Sequence, residues 1–171
     1  MSKFVSPKGA AGYPKLIKPD TKFKAEGEYT TSLTMSKADA KPFMEQIEEA
    51  YTEEFGAKAL PKANFPFKEL DDGQIMFKFK SKNRPKLYDS TGTIIKNFEE
   101  LNIGSGSTLK VAGNISCRAV SGKNYATLYM NAVQIINLVE YGGSPFGEEE
   151  GGFEVGQEED AQETKEEEVN F

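Results

Sequence analysis

The chain has 171 residues and a net charge of −6, with 37% apolar residues, 12 Phe, 7 Tyr and no Trp. Histidine is absent and Cys117 stands alone, which excludes His-dependent catalysis, His-ligated metals, cysteine-cluster zinc sites and an intrachain disulfide. The charge is unevenly spread: Glu148–Phe171 carries −10 and residues 1–147 carry +4.

Residues 1–26 are rich in Lys, Gly and Pro, and Leu16-Ile17 reads as a short strand stopped by Lys18-Pro19-Asp20. From Gly27 to Met35, Tyr29, Thr31, Leu33 and Met35 alternate with polar residues, the pattern of a half-buried strand. Ser36-Lys-Ala-Asp39 supplies a helix cap. Phe43, Ile47, Tyr51 and Phe55 then repeat at i+4 as an apolar stripe, and Gly56 ends the helix.

After a turn at Asp71-Asp72-Gly73, Ile75, Phe77 and Phe79 face one way and Met76, Lys78 and Lys80 the other. Leu87-Tyr88 and Thr93-Ile94-Ile95 flank a hairpin turn at Asp89–Gly92. Past Gly104–Ser107, a strand turns Leu109, Val111, Ile115 and Cys117 inward, with Cys117 as a small buried hydrophobe. Its Lys110, Asn114, Ser116 and Arg118 point out. The last strand, about 125–139, turns Ala126, Leu128, Met130 and Ala132 inward and leaves Tyr125, Thr127, Tyr129 and Asn131 outside. The expectation is a mainly β domain over 1–141, a small barrel of five or six strands with one substantial helix. Residues 142–171, highly charged and poor in apolar groups, are expected to be a disordered acidic tail.

Enzyme motifs fail on inspection. Gly104-Ser-Gly-Ser107 lacks the Gly-Lys-Ser/Thr end of a phosphate loop. Asp71-Asp72 and Asp89 belong to turns, so neither activity, metal nor cofactor is expected. No apolar run approaches the ~20 residues of a membrane span. The N-terminal residues lack a signal peptide's apolar stretch, so a reducing, intracellular setting is expected. The sequon Asn114-Ile115-Ser116 carries no weight in that setting.

What the strands do offer is cations beside aromatic rings, the two requirements for holding single-stranded nucleic acid. Tyr125 and Tyr129 form a candidate stacking platform. Lys78, Lys80, Lys82, Arg84 and Lys86 form a basic set, joined by Lys110 and Arg118 on a later strand and by Lys123 in its turn. The tail is a polyanion that would compete for the same cations, more strongly at low salt. It ends Glu166-Glu167-Glu168-Val-Asn-Phe171, an acidic run closed by an aromatic and the terminal carboxylate, a form suited to docking in a basic pocket with an apolar slot.

Several stretches in order carry a resemblance: Phe4-Val-Ser, Tyr13 to Asp20, Gly27 to Thr34 before an acidic helix, Phe77-Lys-Phe-Lys80, Gly104 to Val111, and Gly142-Gly143 leading to acidic residues and Phe171. In these the chain resembles the replication single-stranded DNA-binding proteins of tailed bacteriophages, the podovirus type with an OB fold and an acidic tail. The resemblance spans nearly the whole chain and implies sequence-tolerant binding of single-stranded DNA in phage replication, recombination and repair, in the cytoplasm of a bacterial host. It implies a tail that contacts the phage DNA polymerase and helicase–primase, and often a homodimer. Carried over by position, Lys3 and the Lys78–Lys86 region are groove residues and Phe171 is the docking aromatic.

Two features depart from the pattern. Cys117-Arg118-Ala119-Val120 stands where the family has aromatics, which shifts stacking to Tyr125 and Tyr129 or to Tyr88. The helix follows the second strand segment, whereas an OB fold usually places it after the third. An RNA-binding or RNA-chaperone barrel and a protein-interaction adaptor are the alternative readings.

Overall fold

A computed structural model describes residues 2–20 and 27–140. The expected disordered tail, with Glu166, Glu167, Glu168 and Phe171, lies outside the described residues. So does the lysine-bearing segment 21–26 that joins the second and third strands.

Eight strands, β1 (Ser2–Val5), β2 (Gly9–Asp20), β3 (Glu28–Met35), β4 (Phe67–Glu69), β5 (Ile75–Ser81), β6 (Lys86–Tyr88), β7 (Thr108–Val120) and β8 (Lys123–Asn137), form one sheet, with a single α-helix, α1 (Lys37–Phe55), among the described residues. Five strands are long, in line with expectation; β1, β4 and β6 have only three or four residues, too few to show a period in sequence. The long strands close on themselves. β2 pairs β3, β3 pairs β5, β5 pairs β8, β8 pairs β7 and β7 returns to β2. Every pair in the ring is antiparallel except β5–β8. A five-stranded closed sheet with this connectivity is an OB-type barrel. The helix falls between its second and third long strands, as the sequence places it.

Alternation drives the core. β3 buries Thr31, Leu33 and Met35, and β5 buries Ile75, Phe77, Phe79 and Ser81. Ser36 caps α1 by accepting from the Asp39 N–H at 3.1 Å, and Gly56 ends it at φ 88°. The helix lays Ala40, Phe43, Ile47 and Tyr51 on the barrel. Phe43 meets Phe77 at 4.8 Å and Phe4 at 5.3 Å between ring centroids, so aromatic contacts join α1, β5 and β1 in one core.

Three local expectations change. β2 runs twelve residues, not two, because register shifts between Gly12 and Lys15 and between Lys15 and Asp20 let Pro14 and Pro19 sit in the strand. In β8, Gly113 pairs Met130 and Ala112 pairs Ala132, which leaves Asn131 as an extra residue. The bulge passes the inner face from Ala126, Leu128 and Met130 to Val133 and Ile135, so Ala132 is not a core residue. Cys117 is half-buried where the sequence implies a buried thiol, while its neighbour Ser116 is buried. Beyond Ser116 the β7–β8 hairpin is largely exposed at Arg118, Ala119 and Val120. Burial and the nearby Glu54 carboxylate raise the Cys117 thiol pKa.

Candidate nucleic-acid interface

The barrel register, more than chain proximity, decides which side chains meet. Lys80 on β5 lies opposite Thr30 on β3 and beside Tyr129 on β8. Tyr129 lies opposite Asn114 on β7, and Asn114 opposite Lys3 on β1. Lys15 on β2 is opposite Thr30. These pairings lay one row, Lys15–Thr30–Lys80–Tyr129–Asn114–Lys3, across the outer face of the sheet. Cross-strand neighbours on one face sit about 5 Å apart, so the row is continuous. Its centre is the Lys80 ammonium, 6.0 Å from the Tyr129 ring centroid, with both residues half-buried. That spacing is at the edge of a cation–π contact. It leaves a flat aromatic face beside a positive charge, the pair of features a nucleotide needs.

Other candidates extend this face along β7 and β8. Towards the hairpin turn, Arg118 is directly opposite Tyr125, and Lys123 opens β8. In the other direction Lys86 lies beside Ala132, Tyr88 beside Gln134, and Lys110 across from Gln134. Tyr88 and Lys110 help line a shallow hollow of about 320 Å³ whose surface is mostly apolar. Lys78 points out from β5 opposite Ser32.

Two candidates stand apart from the row, in the loop after β5. Lys82 is exposed there. Arg84 is tied down: its Nε donates to the Ile17 carbonyl at 3.1 Å, and its guanidinium lies 4.6 Å from the Phe98 ring centroid and 5.9 Å from that of Tyr29. Lys3 keeps its ammonium end exposed while its carbonyl accepts from the Gln46 amide of α1 at 2.9 Å.

Charge is segregated by element. β1, β5, β6, β7 and β8 together carry Lys3, Lys78, Lys80, Lys86, Lys110, Arg118 and Lys123 and no carboxylate. Carboxylates gather instead on α1, where Asp39, Glu45, Glu48, Glu49, Glu53 and Glu54 are exposed. The acid next in sequence to this face is Asp89. The Thr91 hydroxyl and then the Thr93 N–H hold its carboxyl below the ordinary range, as an acceptor inside its own turn. Seven cations on five strands give those strands a positive potential, the sign that attracts phosphate.

The sequence alone does not single out Thr30, Lys15 or Asn114 as members of the row. Thr30 is legible as the outer face of β3, yet a small polar residue signals nothing until a neighbouring lysine is known. Lys15 was visible only as one of several N-terminal lysines. Asn114 was seen as part of a sequon and not as the link between Tyr129 and Lys3.

Neither a protein-family model nor a curated protein sequence matches the chain. Solved structures do. The crystal structure of gp2.5, a single-stranded DNA-binding protein encoded by bacteriophage T7, superposes with a TM-score of 0.69 at 23% identity, covering 91% of this chain and 99% of that one. The single-stranded DNA-binding protein of bacteriophage Enc34, in complex with single-stranded DNA, gives 0.66 at 18% identity over 83% of this chain and 90% of that one. Its C-terminally truncated form gives 0.65 at 16% identity over 82% and 88%. What these identities establish is architecture: the chain has the fold of phage single-stranded DNA-binding proteins.

Proposed function

We propose that this chain binds single-stranded DNA without sequence preference, as a non-catalytic component of phage DNA replication, recombination and repair in the host cytoplasm. The observation that carries the reading is the outer row in which Lys80 stands against the Tyr129 ring, among five strands, β1, β5, β6, β7 and β8, that carry seven cations and no carboxylate. Cations follow the phosphates and the ring takes a base, and neither contact reads sequence. The likeness in fold to phage proteins of this activity supports it. Lys3, Lys78, Lys80, Lys86, Lys110, Arg118 and Lys123 are the proposed phosphate contacts, with Lys82 as an outlying one. Tyr129, Tyr125 and Tyr88 are the proposed stacking residues. Arg84 belongs to the proposed site through its position in the β5–β6 loop. The tail, through Glu166, Glu167, Glu168 and Phe171, is proposed to dock the phage polymerase and helicase–primase and to compete with DNA for the cationic face. A homodimer is part of the same proposal.

The test is affinity for labelled oligo-dT, with matched RNA alongside, for the unaltered chain and for Tyr129→Ala and Lys80→Ala. Loss of the ring is expected to cost about 1–3 kcal/mol. Loss of the lysine is expected to lower the salt slope by about one unit. Unchanged binding by both variants would overturn the assignment of this face. Tighter binding to RNA would favour an RNA-binding barrel.

A further inference from the structure

Among the described residues two non-glycines have a positive φ, Tyr13 at 45° and Ser121 at 53°. Ser121 needs no special account: with Gly122 at φ 81° it forms the two-residue turn of the β7–β8 hairpin, where positive values are usual. Tyr13 lies inside β2, away from any hairpin turn, and left-handed backbone is disfavoured for a bulky side chain.

The fold gains little from a tyrosine there. The residue is 81% exposed, so the ring buries almost nothing. The tertiary bond of Tyr13 is made by its main chain, whose N–H donates to Ser105 Oγ at 2.9 Å. A glycine would make the same bond and adopt the same φ without strain. Strain with no return in packing is the signature of a residue kept for a ligand.

Its location says which ligand. Tyr13 occupies the irregular stretch between Gly12, opposite Ser32, and Lys15, opposite Thr30. From Lys15 the row runs through Thr30 and Lys80 to Tyr129. Strands β2 and β8 are three inter-strand steps apart along that row, about 14 Å at the usual spacing. A ring therefore stands on each bank, exposed at Tyr13 and half-buried at Tyr129, with Lys15 and Lys80 between them.

We propose that Tyr13 is a second stacking platform for single-stranded DNA, so that the strand crosses β8, β5, β3 and β2 roughly at right angles from Tyr129 to Tyr13. The proposal rests on the function proposed above and adds the path of the ligand. Bases stack at both ends, and the lysines take the intervening phosphates.

The chain has no tryptophan, so Tyr13→Trp places a unique fluorophore at the position. Binding of labelled oligo-dT is followed by anisotropy in the full chain, and quenching of the introduced indole's emission is followed in the same titration. Tyr13→Gly is the companion variant, because it removes the ring and relieves the strained backbone, and it should melt no lower than the unaltered chain. The expected result is saturable quenching of the indole and affinity at least fivefold weaker for Tyr13→Gly with its melting temperature maintained. Oligo-dT binding that leaves the indole unquenched, or with Tyr13→Gly within twofold of the unaltered chain, overturns the Tyr13 assignment and leaves the proposed function standing. Failure of the unaltered chain to bind oligo-dT overturns the proposed function and the Tyr13 platform with it.

Discussion

Arg84 shows how one residue's geometry revises what its charge implies. In sequence it belongs to a basic run with Lys82 and Lys86. In the fold its Nε bonds the Ile17 carbonyl and its plane lies on Phe98, so it fastens the β5–β6 loop to β2. A lysine keeps the charge but has neither the Nε–H nor the stacking plane. Arg84→Lys is therefore expected to lower stability by about 1 kcal/mol, from one hydrogen bond and an exposed cation–π contact, and Arg84→Ala, which also removes the charge, to lower the salt slope of DNA binding by less than the roughly one unit expected of Lys80→Ala. Urea unfolding and a salt titration check the two halves. A slope lowered by about a full unit in Arg84→Ala, with Arg84→Lys as stable as the unaltered chain, would make Arg84 a phosphate contact instead of the fastening of the loop. The opposite lesson comes from Lys80, whose outward direction was legible from the alternation of Ile75, Phe77 and Phe79. Its meeting with Tyr129 was not, because a parallel pairing between strands nearly 50 residues apart leaves no mark on either segment.

Elements that repeat strictly were the legible ones. β3, β5 and α1 carry unbroken periods with a cap, and their ends and inner faces agree with the structure. Elements with an irregularity were misread at that irregularity. β2 hides two register shifts behind its prolines, and β8 changes its inner face at Asn131. The β8 bulge has a matching feature on β7. A Cβ on Gly113 would collide with the Tyr129 carbonyl oxygen, so the two backbones approach more closely than any side chain allows. That approach sets where Tyr129 stands in the row. Gly113→Ala must push β8 away, with an expected loss of about 1–3 kcal/mol of stability. Weaker oligo-dT binding should accompany it, although residue 113 itself faces inward. Denaturant unfolding with a binding assay on the folded variant tests this. Full stability and full affinity would show that the crossing has slack.

Across the whole molecule, closure of the barrel brings to one surface cations that are scattered from Lys3 to Lys123 in the chain. The acidic face of α1 and the cationic face of the sheet belong to different elements, which gives the folded domain a polarity its net charge conceals. The segregation is half legible in the sequence: the basic body and acidic end are plain from composition, whereas the gathering of seven cations on β1, β5, β6, β7 and β8 requires the register. A surface of this kind makes a quantitative demand. Each phosphate it neutralises releases counterions, so affinity must fall steeply and linearly, on logarithmic axes, with salt.

The most direct test is anisotropy titration of labelled oligo-dT at several salt concentrations, with the full chain and with a chain ending at Gly147. A steep salt dependence is expected in both, with tighter binding by the shorter chain, most clearly at low salt, where an acidic competitor acts most strongly. Salt-insensitive binding, or none by either chain, would mean that this barrel does not hold single-stranded DNA through its cationic outer face.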